Sequence, residues 1–167
     1  MKKGAFWGFA FTLAISGALA FAEGASAKIC DNDPTSSSGC SQSYYGTWSF
    51  QSSQSGSYNS DHRLSRSGAS VNDFYVWKFP TLSSGRATLE VYLGSSKFTN
   101  READYQALSE GWQEFEYVGS VNQYSAPSGW NTVGNIYLDN AKAQVMVTGK
   151  DYSGASSTQT GADAVSL

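Results

Sequence analysis

Hydrophobic and polar positions alternate along much of this chain, and the alternation has a period of two. In Arg86 to Leu93, Ala87, Leu89, Val91 and Leu93 fall on one face while Thr88, Glu90 and Tyr92 fall on the other, which predicts a half-buried strand. Asn72 to Phe79 sets Tyr75, Trp77 and Phe79 opposite Phe74 and Val76, so both faces are apolar and a central strand is expected. Gln113 to Val121 alternates Phe115 and Tyr117 with Glu114 and Glu116. Val133 to Leu138 and Ala141 to Val147 predict a hairpin turned at Asp139-Asn140, with Ala143, Val145 and Val147 facing one way. Ala162 to Leu167 predicts one more strand.

Helical patterning is limited to Asn100 to Ser109, where Arg101, Glu102 and Ala103 could make one turn. Two polar stretches, Gln51 to Ser60 and Asp151 to Gly161, are expected as surface loops. There is no internal repeat. Short runs of β-branched and aromatic residues divided by Gly, Ser, Asn and Asp clusters predict an all-β sandwich or barrel.

The chain opens with Met1-Lys2-Lys3 and an uncharged apolar run from Ala5 to Ala22, the pattern of a secretory signal peptide over residues 1–27. Cleavage is expected after Ala22 or Ala27, leaving one domain over 28–167; an uncleaved anchor is the competing reading, since about 20 apolar residues span a bilayer. The product is expected outside the cytoplasm, extracellular or periplasmic, as a monomer.

Composition then narrows the partner. Of 167 residues only 15% are charged and the net charge is -3, so the basic face that displaces counterions from nucleic acid is missing. Ten Tyr, nine Phe and five Trp give ample area for a core. Cys30 and Cys40 are the two cysteines, nine residues between them, and export predicts that they form a disulfide.

Catalytic chemistry is poorly provided for. The single imidazole, His62, needs an orienting acid and a nucleophile, and serines are too abundant here for a Ser neighbour to mean anything. Glu114 and Glu116 share a strand face at a spacing a glycosidase could use, but lack flanking aromatics on that face and mark the solvent side. Asp31 and Asp33, joined by Asp163 if first and last strands pair, are weak candidates for calcium ligands; turn formation by Asp-Asn-Asp-Pro is the plainer reading. Aromatic rings stack on the apolar faces of sugars, and the loop-like candidates are Tyr44, Tyr45, Trp112, Tyr124 and Trp130, while Trp48 and Trp77 are expected in the core.

Read in order, the motifs resemble the golvesin C-terminal-like domain, seen also as the carbohydrate-binding-like module that ends bacterial xanthan lyases. The matching residues are Ile29-Cys30-Asp31-Asn32-Asp33, Gly46-Thr47-Trp48, Asp61-His62-Arg63, Phe79-Pro80-Thr81-Leu82, Leu89-Glu90-Val91-Tyr92, Val121-Asn122-Gln123, Gly129-Trp130-Asn131 and the closing Ala162-Asp163-Ala164-Val165. The resemblance spans Ile29 to Leu167. It implies a jelly-roll-like antiparallel β-sandwich acting as a non-catalytic module on polysaccharide or cell-surface glycan. Two features depart from the family's pattern: its middle histidine, expected near Ser109-Glu110, is absent, and the cysteine pair is additional. A structural or adhesive envelope or matrix protein, working through protein contacts, is the alternative.

Overall fold

A computed structural model describes residues 27–33, 39–80, 82–109, 113–139 and 142–167. The expected signal peptide through Ser26, Trp112 and Asn140 therefore lie outside the described residues. Twelve strands are described: β1 (Ile29–Cys30), β2 (Ser41–Tyr45), β3 (Trp48–Gln51), β4 (His62–Ser65), β5 (Phe74–Phe79), β6 (Gly85–Leu93), β7 (Ala103–Ser109), β8 (Glu116–Val121), β9 (Gly129–Leu138), β10 (Ala143–Thr148), β11 (Gly161–Ala162) and β12 (Val165–Ser166). A single 3-10 turn, Tyr58–Ser60, is the helical element among them.

All pairings are antiparallel. They build a four-stranded sheet in the order β1-β12-β6-β9, a five-stranded sheet in the order β2-β5-β10-β7-β8, and a three-stranded sheet in the order β11-β4-β3. The alternating positions do what their pattern demands: Leu89, Val91 and Leu93 of the four-stranded sheet meet Tyr75, Trp77, Phe79, Tyr105, Val145 and Val147 of the five-stranded sheet in one buried cluster. Burying such side chains is worth about 1.5–3 kcal/mol each before entropy is charged against it. Trp48 and Trp77 are both in this core, as the sequence predicts. Strand β5 is central, between β2 and β10, which explains why Val76 on its second face is buried too. Cys30 and Cys40 form a disulfide with Cα atoms 5.6 Å apart, tying β1 to the start of β2.

Four expectations need correction. Strands β9 and β10 are not a hairpin: β9 pairs with β6 and β10 lies between β5 and β7, so the chain crosses from one layer to the other after Leu138. The helical turn at Arg101 to Ala103 is absent, because Ala103, Tyr105, Ala107 and Ser109 are all buried at period two and make β7 a strand. The C-terminal segment is two short ladders in different sheets, with Asp163-Ala164 between them. The polar stretches are not wholly superficial: Ser57, Asp151, Thr158 and Thr160 are buried, their polar atoms hydrogen-bonded inside, as by Thr160 Oγ1 to the Gly149 carbonyl at 2.9 Å.

Candidate functional site

Strand register fixes where the loops gather. Tyr45 pairs with Phe74, Phe74 with Thr148, and Ala103 with Val121, so these residues mark one end of the five-stranded sheet. From that end leave the connections 46–47, 66–73, 122–128 and 149–160, joined by 94–102, which enters β7 there. Backbone bonds lock them together: Tyr124 donates to the Asn100 carbonyl at 3.1 Å, Tyr152 to Glu102 at 3.2 Å and Gly149 to Asp73 at 2.6 Å. Asp73 is the knot of the 66–73 turn, accepting from Arg66 Nη2 at 3.0 Å and from the Ser70 backbone N–H at 2.8 Å. The Arg66 guanidinium holds that carboxyl well below the usual carboxylate range. Gly46 must be glycine, since its φ is +81° and a Cβ would fall 2.1 Å from Asp73 Oδ1.

This loop end carries ring surface. Tyr45, 65% exposed, stacks one face on Phe74 at 5.9 Å. Tyr124, 61% exposed, has the Arg101 guanidinium 5.3 Å from its ring centre. Trp130, half-buried, is locked edge-to-face with Tyr58 at 5.7 Å and Tyr92 at 5.3 Å. Tyr44 is exposed but engaged, parallel to Tyr75 at 5.9 Å and with Arg63 5.3 Å from its ring, the same guanidinium that lies 5.2 Å from Phe50. The structure thus brings Tyr45, Tyr124 and Trp130 to one end and turns Tyr44 to the opposite face of β2. Arg101, Tyr58 and Tyr92, which brace these rings, carry no signal in sequence: Arg101 reads as a helix residue, Tyr58 sits in a polar run and Tyr92 on an outward strand face.

The titratable candidates divide into buried His62, Asp31 and Asp163 and exposed glutamates. His62 is fully buried; its Nδ1 lies 2.7 Å from Ser57 Oγ, its ring packs edge-on against Phe98, and burial lowers its pKa to about 4. The Asp163 carboxylate accepts the Tyr58 backbone N–H, and burial raises its pKa to about 9. Asp31 is also buried and raised by desolvation, and accepts from Asn59 Nδ2 at 2.6 Å. Strands β1 and β12 do pair, so Asp31 and Asp163 come to the same side of the fold. Among the described residues, however, no three His, Cys, Asp or Glu side chains are grouped to hold a metal ion, Asp33 included. Glu114 and Glu116 are exposed.

Fold and site together define a β-sandwich that presents braced rings and no accessible imidazole. The sequence matches the Golvesin C-terminal domain over residues 28–167, and the chain belongs to that family. Among solved structures it is similar to xanthan lyase from Paenibacillus, at 18% identity and a TM-score of 0.66, covering 84% of this chain and 13% of that one. It is similar also to exo-β-1,3-galactanase from Phanerochaete chrysosporium, at 12% identity and a TM-score of 0.54, covering 84% and 29%. CBM35 from Cellvibrio japonicus Abf62 matches at 17% identity and a TM-score of 0.54, covering 85% of this chain and 93% of that module. The chain thus spans a small part of the two enzymes. No curated protein matches the sequence.

Proposed function

We propose that residues 28–167 are a non-catalytic carbohydrate-binding module of jelly-roll-like form, exported behind the leader 1–27 and acting as a monomer on extracellular polysaccharide or cell-surface glycan. The observation that carries this is the pairing of exposure with bracing: Tyr45 and Tyr124 present ring surface to solvent while Phe74 and Arg101 hold them in place. A rigid ring with one open face stacks on a pyranose at little entropic cost. The likeness of the fold to a xanthan lyase domain and to a CBM35 module supports the same reading. Trp130, at the same end, acts as a support; Tyr44, on the opposite face of β2, is a separate contact, and Trp112 is a further contact on sequence grounds alone.

Catalysis is disfavoured by the placement of the imidazole. His62 and Ser57 face each other in the interior, closed to any substrate. The disulfide favours an oxidising compartment.

A glycan array probed with the folded chain tests this. Binding to one or more polysaccharides is expected, reduced about tenfold in Tyr45→Ala and Tyr124→Ala combined. An array blank for the parent protein would overturn the proposal.

A further inference from the structure

The two layers close on each other along β8 and β9, the edge strands of the five- and four-stranded sheets. Gly119 lies against the Val133 carbonyl and Gly134 against the Val118 carbonyl, so close that a Cβ would fall 2.5 Å and 2.7 Å from those oxygens. Beyond the glycines the seam opens into a cleft of about 190 Å³ lined by Glu116, Tyr117, Val118, Asn135, Ile136 and Tyr137. It lies toward the end of β8 opposite Val121, away from the loop end.

The rings at this cleft differ from the other exposed aromatics. Tyr44 and Tyr45 are stacked on neighbours, and Phe50 and Tyr124 carry arginines. Tyr117 and Tyr137, 62% and 60% exposed, have no ring or cation partner among the described residues. The polar groups of the lining are complementary. Thr88 Oγ1 donates to Asn135 Oδ1 at 3.2 Å, which fixes that amide and leaves its Nδ2 hydrogens to donate. Glu116 supplies an acceptor and is the one charged residue of the lining, which disfavours an anionic sugar within it; Arg86, paired with Tyr137 across β6 and β9, is outside that lining. The volume is below the roughly 300–1,000 Å³ of drug-sized sites, which limits the occupant to about one sugar ring.

We propose that this seam is a second glycan site, taking a single neutral pyranose residue with its C–H face on tyrosine and neighbouring hydroxyls on Glu116 and Asn135. It rests on the carbohydrate-binding reading above. A polysaccharide long enough to reach both sites gains avidity from their linkage.

The test is an amide chemical-shift titration of the disulfide-bonded chain with the methyl glycosides of glucose, galactose, mannose and xylose, and with methyl glucuronide. Saturable shifts at 116–118 and 135–137 are expected with at least one neutral glycoside, and about three- to tenfold weaker binding of the glucuronide. Tyr117→Ala with Tyr137→Ala is expected to abolish these shifts while the melting temperature and the response at Tyr124 persist; Glu116→Gln is expected to narrow the gap between glucoside and glucuronide. Shifts confined to the loop end would overturn this site and leave the module's carbohydrate binding standing. Shifts nowhere, with any glycoside, would remove both.

Discussion

Asp163 accepts the Tyr58 backbone N–H on both carboxylate oxygens, at 3.2 and 3.1 Å, and so ties the turn between β11 and β12 to a segment 105 residues earlier. The turn is buried, and desolvation raises the Asp163 pKa to about 9. The folded chain therefore keeps a proton that the unfolded chain releases above about pH 4, and stability falls as pH rises between those values. From pH 6.5 to 9 the expected loss is about 3 kcal/mol, read as a falling urea midpoint. Asp163→Asn should flatten that slope; a parent protein equally stable at both pH values would contradict the assignment.

His62 works in the opposite sense. Its folded pKa is about 4, against 6.5 unperturbed, so the unfolded chain binds the proton first and stability falls on acidification through this window. Between about pH 4 and 6.5 the two groups oppose each other, one proton apiece, so their own contributions to the parent protein's pH dependence nearly cancel. His62→Gln should unmask a fall in stability with rising pH across the whole interval, and Asp163→Asn a rise below 6.5. Denaturation midpoints at pH 4.5, 5.5 and 6.5 for the three proteins separate these outcomes; parallel curves would defeat the pairing of opposite shifts.

The Cys30–Cys40 bridge closes a short loop, with a sequence separation of 10. On the chain-entropy account it contributes about 2–3 kcal/mol. Cys30→Ser with Cys40→Ser should lower the melting temperature by about 5–10 °C while keeping the β-sheet spectrum. An unchanged melting temperature would show that other contacts already fix β1.

Close approach at the seam sets a further expectation. Gly119→Ala drives a Cβ into the Val133 carbonyl, which belongs to backbone and cannot swing aside. A cost of about 1–3 kcal/mol is expected from that overpacking. Gly85→Ala is a useful contrast, since nothing lies within 4 Å of its Cβ position and its cost comes from a φ of +130° alone.

Strands β6 and β10 are legible in sequence because each buries an alternating face, and β5 because it is apolar on both faces. Strands β2, β3 and β4 are not: Ser41-Gln42-Ser43 is polar throughout, Ser49 and Phe50 are exposed beside the buried Trp48, and β4 buries His62 and Ser65 along with Leu64, so none shows a clean alternation of apolar and polar residues. Pairing is set by contacts between layers, so β9 and β10 look adjacent in sequence yet belong to different sheets. The same reason hides the cleft. Glu116-Tyr117 and Asn135-Tyr137 each read as ordinary outward strand residues, and only the meeting of two sheet edges sets them side by side. Tyr45 and Tyr124 could be picked out as rings in polar surroundings; the bracing by Phe74 and Arg101 could not.

Affinity electrophoresis through gels cast with a panel of neutral and acidic polysaccharides, with reducing ends assayed in the same lanes, tests the central claim most directly. Retardation by at least one polysaccharide, relieved by Tyr45→Ala with Tyr124→Ala and accompanied by no released sugar, is the expected result. Unretarded migration in every gel, or sugar released by the purified chain, would contradict it.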